Sequence, residues 1–162
     1  MDCYRIVLRT HAATPLGFGQ GAGRWNSRLH PVIYASSSVS LAMTEYLCIK
    51  GHALLESPWS LLTYRVQGDI PYLETDSLPK GWDTRPYALI SQQLGDDWQR
   101  RQTSVALKVP SARLLLSAYP REHNVVLNPF HPEFLSKVKV KAVEDLYFHL
   151  NNWATGKSNP VR

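Results

Sequence analysis

Four glycines in seven positions, Gly17, Gly19, Gly21 and Gly23, lead directly into Arg24-Trp25-Asn26, and no other stretch constrains the fold as strongly. Glycine has no Cβ, so such a run disfavours helix and sheet interiors and lets backbone pass close to a flat or charged group. The arginine at its exit offers a permanent charge and a fixed fork of donors that suits phosphate or carboxylate. Gly17-x-Gly19-x-x-Ala22 follows the strand-like run from Cys3 to Leu8 and fits the G-x-G-x-x-G/A dinucleotide fingerprint. That fingerprint needs a helix to begin among the glycines, with its N-terminus against the pyrophosphate. After Ala22 come Gly23, Asn26, Ser27 and His30-Pro31, with no apolar spacing of three and four, so the chain reads as extended or looped as far as Tyr34. A Rossmann domain is thereby rejected, and a Walker loop as well, because no Gly-Lys-Ser/Thr follows. A flexible surface loop remains the plain alternative at this point.

The rest of the chain must decide. At 162 residues, with 44% apolar and 19% charged residues, it fits a single globular domain over 1–162, with a polar tail from about residue 154. No run of about 18 apolar residues and no basic-then-apolar leader is present, so neither a membrane span nor a secretory signal is expected, and the expected location is cytoplasmic. Cys3 and Cys48 read as free thiols, and no CxxC or Cys/His cluster suggests a metal. The formal charge of +5 is spread along the chain. Its densest groups are Arg100-Arg101 and the alternating Lys137, Lys139 and Lys141, the latter like one solvated face of a strand. Direct nucleic-acid binding is not expected; the charge suits an anionic substrate or an acidic partner protein.

Strand-like and helical segments are interspersed without the βαβα rhythm of a doubly wound sheet. Residues 3–9, 31–35, 61–66, 70–73, 105–109, 114–117, 125–127 and 138–140 read as short strands. A serine among Ser36, Ser37 and Ser38 caps a helix to about Lys50, which Gly51 ends in the left-handed conformation. Pro86 opens a second helix, continuing to Leu94 before Gly95 stops it. The expected class is α+β, with more strand than helix.

The first helix carries a carboxylate among apolar neighbours. Glu45 shares its face with Leu41, Ala42, Cys48 and Ile49, so it is either buried in an ion pair or lines a cleft. Its expected counter-charge is Arg24. Between them Tyr34 ends a short strand, either as core packing or as part of a site. Arginine, aromatic ring and carboxylate together can bind a phosphate, stack on a flat ring and hold a ribose or a developing cation.

The segments Gly21-Ala22-Gly23-Arg24-Trp25-Asn26, His30-Pro31-Val32-Ile33-Tyr34-Ala35-Ser36 and Leu41-Ala42-Met43-Thr44-Glu45 resemble the RES domain family. Leu78-Pro79-Lys80-Gly81-Trp82, Leu107-Lys108-Val109-Pro110-Ser111-Ala112 and Asn128-Pro129-Phe130-His131-Pro132 continue the resemblance in the family's order, from about Tyr4 to Phe134. The segment Lys141-Ala142-Val143-Glu144-Asp145-Leu146 departs from the family's ending. The resemblance implies a fold similar to ADP-ribosyltransferases, with short, mostly antiparallel strands in small packed sheets and a few helices. It implies the toxin of a bacterial toxin–antitoxin pair, degrading NAD at the nicotinamide–ribose bond with water or phosphate. It also implies an Xre-like helix-turn-helix antitoxin as partner and a homodimer. Some relatives transfer ADP-ribose to a protein instead. NAD enters as substrate, and no resident cofactor is expected.

The family's arginine, tyrosine, glutamate and serine fall on Arg24, Tyr34, Glu45 and Ser111, and an arginine on the first strand of some members on Arg5. In that reading Arg24 clamps the pyrophosphate while Gly23 and its neighbours let the backbone approach. Tyr34 packs on the nicotinamide ring, and Ser111 hydrogen-bonds the carboxamide or a ribose. Glu45 stabilises the oxocarbenium-like sugar; nicotinamide leaves as a neutral molecule, so one carboxylate suffices where O-glycosidases need two. A non-catalytic module binding an anionic ligand is the remaining alternative.

Overall fold

The computed structural model describes residues 1–149; the polar tail expected from about residue 154 lies outside the described residues. Six strands and three α-helices organise the described residues: β1 Asp2–Leu8, β2 Ile33–Ser36, α1 Val39–Lys50, β3 Trp59–Val66, α2 Leu89–Arg101, β4 Ala106–Val109, β5 Asn124–Leu127, α3 Phe134–Lys137 and β6 Val138–Leu146. The strands pair antiparallel in the order β4-β5-β2-β1-β3-β6. The α+β class and antiparallel pairing match the sequence reading. The strands join one six-stranded sheet, however, and not several small ones.

Alternation along the strands divides the core between the two faces of the sheet. Cys3, Val7, Ile33, Ala35, Leu62, Tyr64, Val125 and Leu127 pack together on one face. On the other, Ile6 and Leu61 meet Ala42 of α1, and Val126 and Leu107 meet Trp98 of α2 together with Trp25. Both long helices therefore cover the same face, and the space between them is where a site can open.

Ser38 caps α1, its hydroxyl accepting from Leu41 N at 3.1 Å, and Gly51 closes it with a φ of 54°. Of the alternating lysines, Lys139 and Lys141 lie exposed along the outer strand β6 next to the buried Val138, whereas Lys137 ends α3. Residues 141–146, which depart from the family pattern, complete β6; 142–146 pair with β3, and Lys141 falls at the register shift between Thr63 and Tyr64.

Three expected elements differ. Residues 70–73 form no strand: Tyr72 makes an isolated bridge to Lys108, and Pro71 has no N–H with which to extend a ladder. Residues 114–117 were expected as a strand but lead into a 3-10 turn, Leu116–Ala118, that leaves Leu115 and Leu116 exposed. The second helix begins at Leu89, runs through Gly95 and ends at Arg101, where Gln102 adopts a φ of 49°. Gly95 does not stop it, because the missing side chain serves tertiary contact: a Cβ there would lie 2.7 Å from the Trp25 carbonyl carbon.

Candidate active site

The glycine loop is irregular, as its composition requires, and closes with a bridge between Gly23 and Asn26. Together with α1 and the segment around Tyr87 it encloses a cavity of about 390 Å³. The register of the sheet supplies the cavity floor. Tyr4 of β1 lies opposite Ser36 of β2, and Ser36 lies opposite Asn124 of β5, so three polar side chains form one row across three strands. Tyr34 stands two residues from Ser36 on the same face.

Glu45 reaches this cavity from α1. Its Oε1 accepts from the Ser111 hydroxyl at 2.7 Å and from Asn124 Nδ2 at 2.6 Å, while Oε2 lies 3.6 Å from Arg113 Nε. The apolar stripe around Glu45 is split: Leu41 and Ala42 are buried, whereas Cys48 and Ile49 are exposed, and Ile49 lines the cavity. Glu45 thus lines a cleft and also carries an ion pair, with Arg113.

The expected Arg24–Glu45 ion pair is absent. Arg24 Nη1 donates to the carbonyls of Trp82 and Thr84, and its guanidinium lies against the rings of Trp82 and Tyr87, 5.9 and 5.1 Å from their centroids. Backbone carbonyls satisfy part of the fork, and Glu45 acts on the Arg24 charge only from a distance, its own ion pair being with Arg113. Burial lowers the pKa of Arg24 from its ordinary value, and the neighbouring Arg85 acts in the same direction. Arg5, Arg24, Arg85 and Arg113 thus line a cavity in which Glu45 is the one carboxylate among the described residues. Such a surplus of positive charge favours an anionic ligand.

Tyr34 is held by its hydroxyl, which accepts from Trp25 N at 2.9 Å and donates to Asn26 Oδ1 at 2.8 Å. Burial raises the pKa of this phenol above its ordinary value. The ring lines the cavity while the hydroxyl fastens the loop behind it. Gly23 makes room for that hydroxyl: a Cβ there would sit 2.5 Å from it. Ser111 is buried, donates to Glu45 and accepts from Arg113 N at 3.0 Å, so it orients the carboxylate. Arg5 donates to the Gly17 carbonyl at 2.7 Å and to the Tyr64 hydroxyl at 3.4 Å, and thereby ties down the start of the glycine loop.

The structure therefore brings Arg5, Gly23, Arg24, Tyr34 and Glu45 to one cavity, places Ser111 behind Glu45, and ties the Arg5 guanidinium to the glycine loop. Sequence reasoning missed Asn124, Arg113, Arg85 and Tyr87. Asn124 had a legible signal, since asparagine is depleted in strands and here opens the apolar run Val125-Val126-Leu127. Among the described residues no helix is long and apolar enough to cross a membrane, and no group of three or more metal-ligating side chains occurs.

Comparison with known proteins follows the same outline. A crystal structure of the M. tuberculosis MbcT-MbcA toxin-antitoxin complex contains a chain that superposes with a TM-score of 0.67 at 20% identity, covering 90% of this chain and 83% of that one. A protein of Yersinia enterocolitica named Toxin Res is 35% identical over 138 residues, covering 83% of this chain and 88% of the relative. A Sphingobium protein named Prs ADP-ribosylating toxin is 32% identical over 137 residues, covering 77% and 79% respectively. The RES domain profile matches residues 2–151, from the first strand to beyond the last, and with relatives of this identity over most of both chains it follows that the chain belongs to the RES domain family.

Proposed function

We propose that this chain is the toxin of a toxin–antitoxin pair and that it acts by breaking the nicotinamide–ribose bond of NAD. The observation that carries this reading is Glu45, fixed by two neutral donors at the wall of a cavity whose other charged side chains are arginines. Cleavage develops positive charge on the ribose, and a carboxylate held in place stabilises that charge most in the transition state. Arg24, with Arg85 beside it, binds the pyrophosphate through donors that the carbonyls of Trp82 and Thr84 leave unused. The Tyr34 ring forms a wall for the nicotinamide. Nicotinamide departs without a proton, so the site needs no second acid. Names among the relatives and the solved complex support the toxin role.

The test is release of nicotinamide by the purified chain from NAD alone, with and without inorganic phosphate, compared with Glu45→Gln. Retained release in that variant would remove Glu45 from the chemistry. A second reading, transfer of ADP-ribose to a protein by the same site, is favoured by the relative named Prs ADP-ribosylating toxin. Labelled NAD with cell lysate would then mark a protein band. Neither nicotinamide release nor labelling would leave a non-catalytic module for an anionic ligand.

The proposal includes an Xre-like helix-turn-helix antitoxin that covers the cavity in competition with NAD, and a homodimer of this chain. Unaffected NAD turnover at saturating antitoxin would overturn the first, and a monomeric mass in light scattering the second.

A further inference from the structure

We infer that Asn124, held by Ser36, is a positioning residue that fixes the Glu45 carboxylate so that Oε2 is the oxygen turned towards the ribose. The inference rests on the reading of this cavity as an NAD site and adds to it two residues and an assignment of the working atom.

The geometry forms a relay. The Ser36 hydroxyl donates to Asn124 Oδ1 at 2.8 Å, and Asn124 Nδ2 donates to Glu45 Oε1 at 2.6 Å. An asparagine amide has one acceptor end and one donor end, and their placement follows from the hydrogen-bond network. The Glu45 carboxylate only accepts, so the donor end of the amide faces it, and the Ser36 hydroxyl donates to the acceptor end; the reverse placement would set a carbonyl oxygen against Glu45. Ser36 is buried, and its cross-strand partner is Asn124 itself, so strand pairing fixes the relay.

Oε1 then has two partners, Asn124 and Ser111. Oε2 is ion-paired with Arg113 Nε at 3.6 Å, beyond hydrogen-bonding distance, and accepts no side-chain hydrogen bond among the described residues. Two donors from different elements, one after β4 and one on β5, meet on a single oxygen and prevent rotation of the carboxylate. The backbone pairing of β5 does not need an asparagine at this place, and the residue type opposes strand propensity.

Steady-state NAD cleavage by wild type, Asn124→Ala, Asn124→Asp and Ser36→Ala tests the inference. Asn124→Ala should lower kcat about tenfold or more, because a hydrogen bond to a charged group is lost, while KM changes by less than about threefold. Ser36→Ala should lose less, since the amide keeps its donor but not its fixed orientation. Asn124→Asp sets a second carboxylate against Glu45. It should be worse than alanine at alkaline pH and recover as pH falls, when the shared proton restores a donor to Oε1. A merely structural role would give no such inversion of the pH profile.

The inference is overturned if Asn124→Ala keeps kcat within about twofold of wild type, or if Asn124→Asp falls in parallel with alanine at every pH. A wild-type chain that releases no nicotinamide would count against the NAD reading instead. In that case the Asn124 side-chain amide resonance in isotope-labelled protein still decides the contact. Glu45→Gln should move that resonance more than any other asparagine amide, and an unmoved resonance would overturn the relay.

Discussion

Gly95, in the middle of α2, lies directly against the backbone carbonyl of Trp25, the residue that follows Arg24. The glycine loop is thus seated on a helix through a contact between two backbones. Gly95→Ala must displace either the helix or the loop, because a carbonyl group cannot swing aside like a side-chain tip. The expected cost is about 3 kcal/mol of stability, at the upper end for overpacking. Gly21→Ala, where a Cβ meets nothing within 4 Å, should stay within about 0.5 kcal/mol of wild type. Chemical denaturation of the two variants side by side checks both; equal stability would mean that the helix–loop contact does not matter.

The Tyr34 hydroxyl closes the same loop from the other side. Stacking alone would make Tyr34→Phe mild, but phenylalanine leaves the Trp25 N–H without its acceptor in a buried place. Tyr34→Phe should therefore cost about 1–3 kcal/mol, the range for an unsatisfied buried donor. Gly23→Ala should act on the same contact, since its Cβ would strike that hydroxyl. Thermal unfolding together with nicotinamide release checks this: each variant should lose stability and NAD binding together. A Tyr34→Phe protein with the wild-type melting temperature would assign the ring, and not the hydroxyl, as what matters.

What the sequence revealed of this fold and site, and what it concealed, divides along chain separation. The start of α1 was readable because a cap lies three residues from the N–H that it satisfies, as Ser38 does for Leu41. The glycine loop was readable because its composition forbids regular structure. Arg24, Tyr34 and Glu45 were legible as residue types, and as a set through a family pattern. Their partners were not. Ser111 and Asn124 lie 66 and 79 residues from Glu45, and only the strand order brings them together. Arg24 was assigned to Glu45 by charge alone, whereas backbone carbonyls of Trp82 and Thr84, which no side-chain pattern reports, take its donors. Gly95 looked like a helix stop for the same reason: a local rule applied where a distant backbone decides.

Alkaline pH should weaken the fold through a thiol. Cys3 is fully buried on β1, and burial pushes its pKa up from 9.0 to about 12. The folded value is raised, so the contribution of the neutral thiol is fully present below the unfolded value and is lost as pH rises from about 9 towards 12. Stability measured by urea unfolding should fall over this window, and Cys3→Ala should flatten the slope, whatever it does to absolute stability. An unchanged slope in the variant would assign the alkaline loss to other groups, such as the buried phenol of Tyr34.

The arginines that line the cavity should oppose one another until a ligand arrives. Arg85 lowers the pKa of Arg24, so in the free protein the two charges repel, and an anion between them relieves the repulsion. Arg85→Ala should therefore leave the melting temperature of the free protein unchanged or raised, yet reduce the thermal shift produced by NAD or ADP-ribose. Arg24→Lys should behave differently. One ammonium cannot serve the carbonyls of Trp82 and Thr84 and a phosphate in bidentate fashion at once, so both the free fold and the ligand response should weaken. The KM for NAD should rise about tenfold in Arg24→Lys, the loss expected for one charge-assisted hydrogen bond. Melting curves with and without ligand separate the two variants by sign. A destabilised free Arg85→Ala protein with an undiminished ligand shift would make Arg85 a structural residue of the segment that carries Tyr87, not a second anchor for the anion.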